Sequence, residues 1–149
     1  MYKAQNRITN EIKAVKAINI NDIKDNAFEI EINILKSVDH PNIIKLHQVY
    51  LDENFVYLIE DYCKGGDLFD YIKMQRYFSE KKAASIMIQL LSALNHLHCQ
   101  KIVHRDIKPD NIVFTESKSN EIFIKLIDFG TSIYKTDDPL TKELGTVFL

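Results

Sequence analysis

Glycine is scarce in this sequence: Gly65, Gly66, Gly130 and Gly145 are the only four in 149 residues, against a usual share of about 7%. Cysteine is scarcer. Cys63 and Cys99 form no CxxC pair, which excludes a disulfide framework and a zinc ribbon and makes the reducing cytoplasm the expected setting. Long hydrophobic runs are also missing. The longest apolar stretch, residues 83–94, is interrupted by Ser85, Gln89 and Ser92 and falls short of the roughly 20 residues a membrane span needs. No secretory signal precedes the first polar residues. Nor is there a surplus of basic charge: 19 Lys and Arg stand against 21 Asp and Glu, a formal net charge of −2, so no nucleic-acid or membrane partner is expected. What remains, 46% apolar and 27% charged residues, is the composition of a soluble globular domain able to bury a core.

Residues 12–20, IKAVKAINI, are β-branched with interleaved lysines, as in a strand with one solvated face and Lys16 at its middle. Residues 28–35, FEIEINIL, fit two patterns. Alternation of Phe28, Ile30, Ile32 and Ile34 reads as a strand, whereas Ala27, Ile30, Ile34, Leu35 and Val38 form a helical stripe with Asn26 as N-cap. His40-Pro41-Asn42 predicts a turn. Apolar runs at 43–50 and 55–59, separated by polar residues 51–54, predict a hairpin. Beyond Gly65-Gly66 the character changes. Ser79 is a good N-cap, and Ala83, Ile86, Met87, Leu90, Leu94 and Leu97 recur at helical spacing. Residues 112–114 and 122–127 then predict a second hairpin around polar 115–121. With no internal repeat, the order describes an α+β fold with a hinge near Gly65.

Polar residues concentrate at 104–111, HRDIKPDN, directly after the long helix, and the second hairpin ends at Asp128-Phe129-Gly130. Strand register carries Asp128 back beside Asn111, with Asp106 and Lys108 nearby. An amide oxygen and a carboxylate facing one point are hard ligands suited to Mg²⁺, which takes its remaining ligands from water and phosphate. A carboxylate base, a lysine and two Mg²⁺ ligands make a set suited to phosphoryl transfer. His96, His98 and Cys99 are ligand types too, but neighbouring helical positions point apart and no fourth ligand accompanies them.

The chain resembles the eukaryotic protein kinase family, on HRDIKPDN at 104–111, DFG at 128–130, AVK at 14–16, VDHPNI at 38–43, GGDLFDYI at 65–72 and GT at 145–146. It is most similar to the calcium- and calmodulin-dependent serine/threonine kinases. The resemblance implies a two-lobed α+β fold, incomplete at both ends: residues 1–60 as the remainder of the first lobe, 61–66 as the hinge and 67–149 as the start of the second. It resolves FEIEINIL as helix. It implies that Lys16 holds the α- and β-phosphates of ATP and pairs with Glu31, and that Ala14 and Val113 line the two faces of the adenine pocket. The backbone of Asp61 and Cys63 would bond the adenine edge. Asp106 would orient the acceptor hydroxyl, Lys108 would neutralise charge on the transferring group, and Asn111 and Asp128 would bind Mg²⁺. Lys108 and Thr146 are the serine/threonine signature, so the implied partner is a protein substrate with a Ser or Thr acceptor.

Several features depart from the family or add to it. No glycine precedes Gly65, so the phosphate-covering GxGxxG loop is not in the chain, and neither are the APE motif and the later supporting helices. A non-catalytic kinase-like fragment, acting as an interaction module or an incomplete gene product, is therefore the alternative reading. Glu60 stands at the back of the adenine pocket, where relatives carry an uncharged side chain; it is expected to bind Lys16 in competition with Glu31. Thr131, Ser132, Tyr134, Thr136 and Thr141 are candidate phosphorylation sites, with Arg105 to receive a phosphate and Glu143 as a fixed charge in its place. His104 reads as a packed core histidine.

Overall fold

Period-two patterning builds the first layer and already decides which side chains face inward. The computed structural model describes residues 1–23, 26–75, 77–116 and 122–136. In it β1 (Tyr2–Gln5), β2 (Ile12–Asn19), β3 (Leu46–Leu51) and β4 (Phe55–Asp61) form an antiparallel sheet in the order β1-β2-β4-β3. Along β4 the side chains alternate strictly, with Val56, Leu58 and Glu60 buried. Ala14 sits opposite Glu60 and Lys16 opposite Leu58, so Ala14 and Lys16 share that inner face.

The helix α1 (Ala27–Ser37) covers this face. Its buried residues are Glu31, Ile34 and Leu35, which continues into buried Val38 as the stripe read from sequence. FEIEINIL is thus helical, as the resemblance implies. Asn26 stands at the N-cap position but makes no side-chain capping bond, so this helix start rests on packing.

The short helix α2 (Leu68–Met74) is capped by Asp67, whose side chain accepts the Asp70 N–H at 2.8 Å. The long helix α3 (Glu80–Cys99) starts where Ser79 accepts the Lys82 N–H and buries Ile86, Leu90, Ala93 and Leu97 at helical spacing. Two strand pairs follow from β5 (Ile102–Val103), β6 (Ile112–Phe114), β7 (Ile124–Leu126) and β8 (Ile133–Tyr134): β6 with β7, and β5 with β8.

The hairpin expected over 43–50 and 55–59 forms later than predicted. β3 begins at Leu46, and Ile43 and Ile44 leave the sheet to lie beside β7 instead. The Ile44 N–H donates to the Leu126 carbonyl at 3.0 Å and the Leu126 N–H to the Asn42 carbonyl at 2.9 Å. On the other side of the β6–β7 hairpin, the Gly65 N–H donates to the Phe114 carbonyl at 3.0 Å and the Phe114 N–H to the Gly66 carbonyl at 2.9 Å. The hairpin is therefore a middle ribbon between segment 42–44 and segment 64–67. Gly65 is required there by space: an added Cβ would lie 2.4 Å from the Phe114 Cβ. One core joins α1, α2, α3 and this ribbon, with Ile34, Ile43, Leu97, Leu126 and Phe129 among its buried members.

Candidate active site

The inner sheet face, α1 and the ribbon enclose a cavity of about 660 Å³. Eight of the ten residues selected from sequence line it: Ala14, Lys16, Glu31, Asp61, Cys63, Asn111, Val113 and Asp128. Asp106 and Lys108 are outside its lining and are joined to it through Asn111. Phe129 of the 128–130 motif and Tyr62, Leu35, Ile44 and Ile127 complete much of the wall; the last four, as ordinary apolar and aromatic positions, carried no distinguishing signal in the sequence.

At one end of the cavity, the Lys16 ammonium donates to Glu31 Oε1 at 2.7 Å and lies 3.8 Å from Asp128 Oδ1. Burial by itself would lower the Lys16 pKa. The Glu31 carboxylate in contact outweighs that, with Asp128 and Glu60 adding to it, and holds Lys16 above the ordinary lysine value. Glu31 rather than Glu29 makes this bond because position 31 lies on the buried stripe of α1 and position 29 does not.

The expected bond between Glu60 and Lys16 does not form. Lys16 is committed to Glu31, and among the described residues the Glu60 side chain makes no hydrogen bond or ion pair, although the residue is only 7% exposed. Burial pushes its carboxyl up to about 7, with the nearby Lys16 ammonium opposing and Glu31 and Asp128 reinforcing the rise.

A second set forms along the 104–111 stretch. Asp106 Oδ2 accepts from Lys108 Nζ at 2.9 Å and from Asn111 Nδ2 at 2.9 Å, and the same Asn111 nitrogen also donates to the Asp106 carbonyl at 2.8 Å. The Asp106 contact raises the Lys108 pKa. His104 is 1% exposed, packs edge-on against Phe129 at 4.8 Å, and donates from Nε2 to the Ile127 carbonyl at 3.0 Å while Nδ1 accepts the Asp106 N–H. Burial lowers its pKa, so it is a neutral packing residue, as expected. Cys63 is an inert thiol, pushed up to about 11 by burial.

Among the described residues four non-glycine positions are held in the left-handed region, and two of them flank the motifs of the site: Arg105 at φ 68° and Asp128 at φ 61°. Such conformations cost about 1–3 kcal/mol each and turn the chain just before Asp106 and at the Asp128 wall of the cavity. Arg105 Nε donates to the Thr131 carbonyl at 2.6 Å, fastening the two stretches to each other. Thr131 and Ser132, expected as loop hydroxyls, are instead tied down: both donate to the His104 carbonyl, and Ser132 is buried. Tyr134 and Thr136 are exposed, while Thr141, Glu143, Gly145 and Thr146 lie outside the described residues.

Lys125 escaped the sequence reading, where it is one more lysine on a short strand. Its ammonium lies 3.1 Å from Asp61 Oδ2 and donates to the carbonyls of Pro41 and Ile43 at 3.0 and 3.1 Å. Asp61 Oδ1 lies 2.7 Å from His47 Nε2. Burial would raise the Asp61 carboxyl, but these partners hold it below the usual range. The backbone at Asp61 is thereby pinned to β3 and β7.

The sequence profile of the protein kinase domain matches residues 1–148. The chain belongs to the protein kinase domain family. It is 46% identical over 138 residues to "Calcium-dependent protein kinase 3" of Plasmodium yoelii yoelii, covering 92% of this chain and 26% of that protein. Identity is 45% over 133 residues with "Calcium-dependent protein kinase 5" of Plasmodium berghei (strain Anka), covering 87% and 23%. It is 41% over 134 residues with "Serine/threonine-protein kinase DCLK3" of Mus musculus, covering 89% and 17%. The chain thus spans about a quarter or less of the length of these relatives. The fold seen here is the α+β arrangement of that family, and among the described residues no helix is long and apolar enough to cross a membrane.

Proposed function

We propose that this chain carries part of the site of a protein serine/threonine kinase, transferring the γ-phosphoryl group of ATP to serine or threonine hydroxyls of a protein substrate. The observation that supports it most is the linkage of two charge sets at one cavity: Lys16–Glu31–Asp128 within it, and Asp106–Lys108–Asn111 joined to it through Asn111. In this reading residues 1–60 are first lobe, 61–66 the hinge and 67–149 the second.

Ala14 and Val113 lie on opposite elements of the apolar part of the cavity and sandwich the adenine, whose edge bonds to the backbone of Asp61 and Cys63. Lys16, held in place by Glu31, meets the α- and β-phosphates. Asp106 accepts the proton of the acceptor hydroxyl, and Lys108, 2.9 Å away, compensates charge on the group in transfer. The donor set fits Mg²⁺: the nitrogen of Asn111 is consumed by Asp106, which leaves its oxygen for a cation, and the Asp128 carboxylate is half exposed beside the same cavity. Bound there, Mg²⁺ would neutralise phosphate charge at a site whose carboxylates outnumber its ammonium groups.

The test is equilibrium binding and transfer with the same preparation. Mg·ATP at about 100 times its Kd is expected to stabilise the chain by about 2.7 kcal/mol. The Asp106→Asn variant should keep that thermal shift while losing phosphate incorporation into a serine- and threonine-containing peptide library by at least about a hundredfold. A chain that Mg·ATP does not stabilise, or an Asp106→Asn variant as active as the parent, rules this reading out.

A further inference from the structure

Within the cavity every carboxylate and amide side chain but one is spoken for among the described residues. Lys16, Glu31 and Asp128 engage one another, Asn111 gives its nitrogen to Asp106, and Asp61 turns its carboxylate to His47 and Lys125. Glu60 is the exception. It is buried, lines the cavity, and its side chain makes no bond among the described residues. No buried side-chain oxygen or nitrogen among the described residues is sealed off without a partner, so its carboxyl opens onto the cavity. An unpaired buried carboxyl is costly unless a ligand supplies a donor. Strand alternation fixes where that donor must come from, because Glu60 directly precedes the backbone of Asp61 to Cys63 and stands opposite Ala14.

We propose that Glu60 reads position 6 of the purine, its carboxylate accepting an N–H of a 6-aminopurine nucleotide and repelling the carbonyl of a 6-oxopurine. This rests on the nucleotide reading above and adds a selectivity to it. An ionised carboxylate can only accept, so it favours the amino group; a protonated carboxyl can also donate, and so tolerates the oxo group. Discrimination should therefore rise with pH as Glu60 gives up its proton near 7. The charged groups around Glu60 are Lys16 from β2, Glu31 from α1, Asp128 after β7 and Asp61 beside it; β3 places Leu46 opposite it and directs His47 to Asp61. Lys16, Glu31 and Asp128 bear on the phosphates of either nucleotide alike and cancel in a ratio.

The experiment is isothermal titration of the full chain with ATP and with inosine triphosphate, both with Mg²⁺, at pH 6 and pH 8. The backbone contacts also favour adenine, by a factor common to both pH values, so the readout is the change in the ratio of the two Kd values. That ratio is expected to grow about tenfold from pH 6 to pH 8 in the parent chain, the scale of one hydrogen bond to a charged group. It should stay flat in Glu60→Gln and in Glu60→Met. A flat ratio in the parent, which needs no variant to fold, overturns the proposal, and so does an equal rise in a folded variant. If neither nucleotide binds the parent, the nucleotide reading itself fails and this inference falls with it.

Discussion

An unfolded glutamate titrates near 4.5, and Glu60 in the fold near 7. Between those values the folded chain holds a proton that the unfolded chain releases, so stability falls as pH rises from about 4.5 to 7 and the loss is complete above it. At 1.36 kcal/mol per pKa unit the loss is roughly 3 kcal/mol. Glu60→Gln keeps the shape and removes the ionisation. In urea unfolding it should be more stable than the parent by about 1–3 kcal/mol at pH 8 and close to it at pH 5; an equal gain at both pH values would assign the effect to packing instead. At this scale the sequence was legible wherever a residue belongs to an ordered motif, as with Lys16, Asp106, Asn111 and Asp128. That Glu60 is left without a partner was not, since Lys16 is claimed by Glu31, and which face of α1 is buried depends on the sheet beneath it. Lys125 was invisible for a related reason: its three partners come from residues 41, 43 and 61, far from it in sequence.

Among the elements, α1 shows most clearly what local pattern can and cannot decide. As a strand, FEIEINIL would place its isoleucines inward and Glu29, Glu31 and Asn33 outward, a self-consistent arrangement. As a helix it buries Glu31, an arrangement that local pattern disfavours and that only Lys16, on another element, makes acceptable. Glu31→Ala removes that partner and leaves Lys16 with Asp128 alone at 3.8 Å. The Lys16 side chain is partly solvated, so the loss should be moderate, about 1–3 kcal/mol. Hydrogen exchange should report it locally, with faster exchange in α1 and unchanged protection in α3, whose cap and core contacts are independent of the pair. Equal loosening of α1 and α3 would mean that the ion pair supports the whole core and not the docking of one helix. The capped helix α3 and the β6–β7 hairpin, by contrast, were readable from end signals and register alone.

At the scale of the molecule, the two halves are joined by segment 42–44 lying along β7, an arrangement that displaced the predicted start of the hairpin. The Asn42 amide donates to the Ile124 carbonyl across 82 positions of sequence, and Gln89 of α3 bonds both residues. These contacts also bear on the order of events during synthesis. At about 5–20 residues per second, residue 42 waits about 4–16 s for residue 124 to be made. Until then the carbonyl of Asn42 and the N–H of Ile44 have no ladder to join, and Ile43 has no core to enter. Nascent chains arrested with residues 1–116 outside the ribosome should therefore be cut readily by protease around residues 38–46, and those with residues 1–136 outside should resist. Equal resistance at both lengths would show that the first sheet closes on its own. Translation thus leaves this stretch exposed for a set interval in every molecule made, a window in which a chaperone or a neighbouring nascent chain can reach it before its own hairpin does.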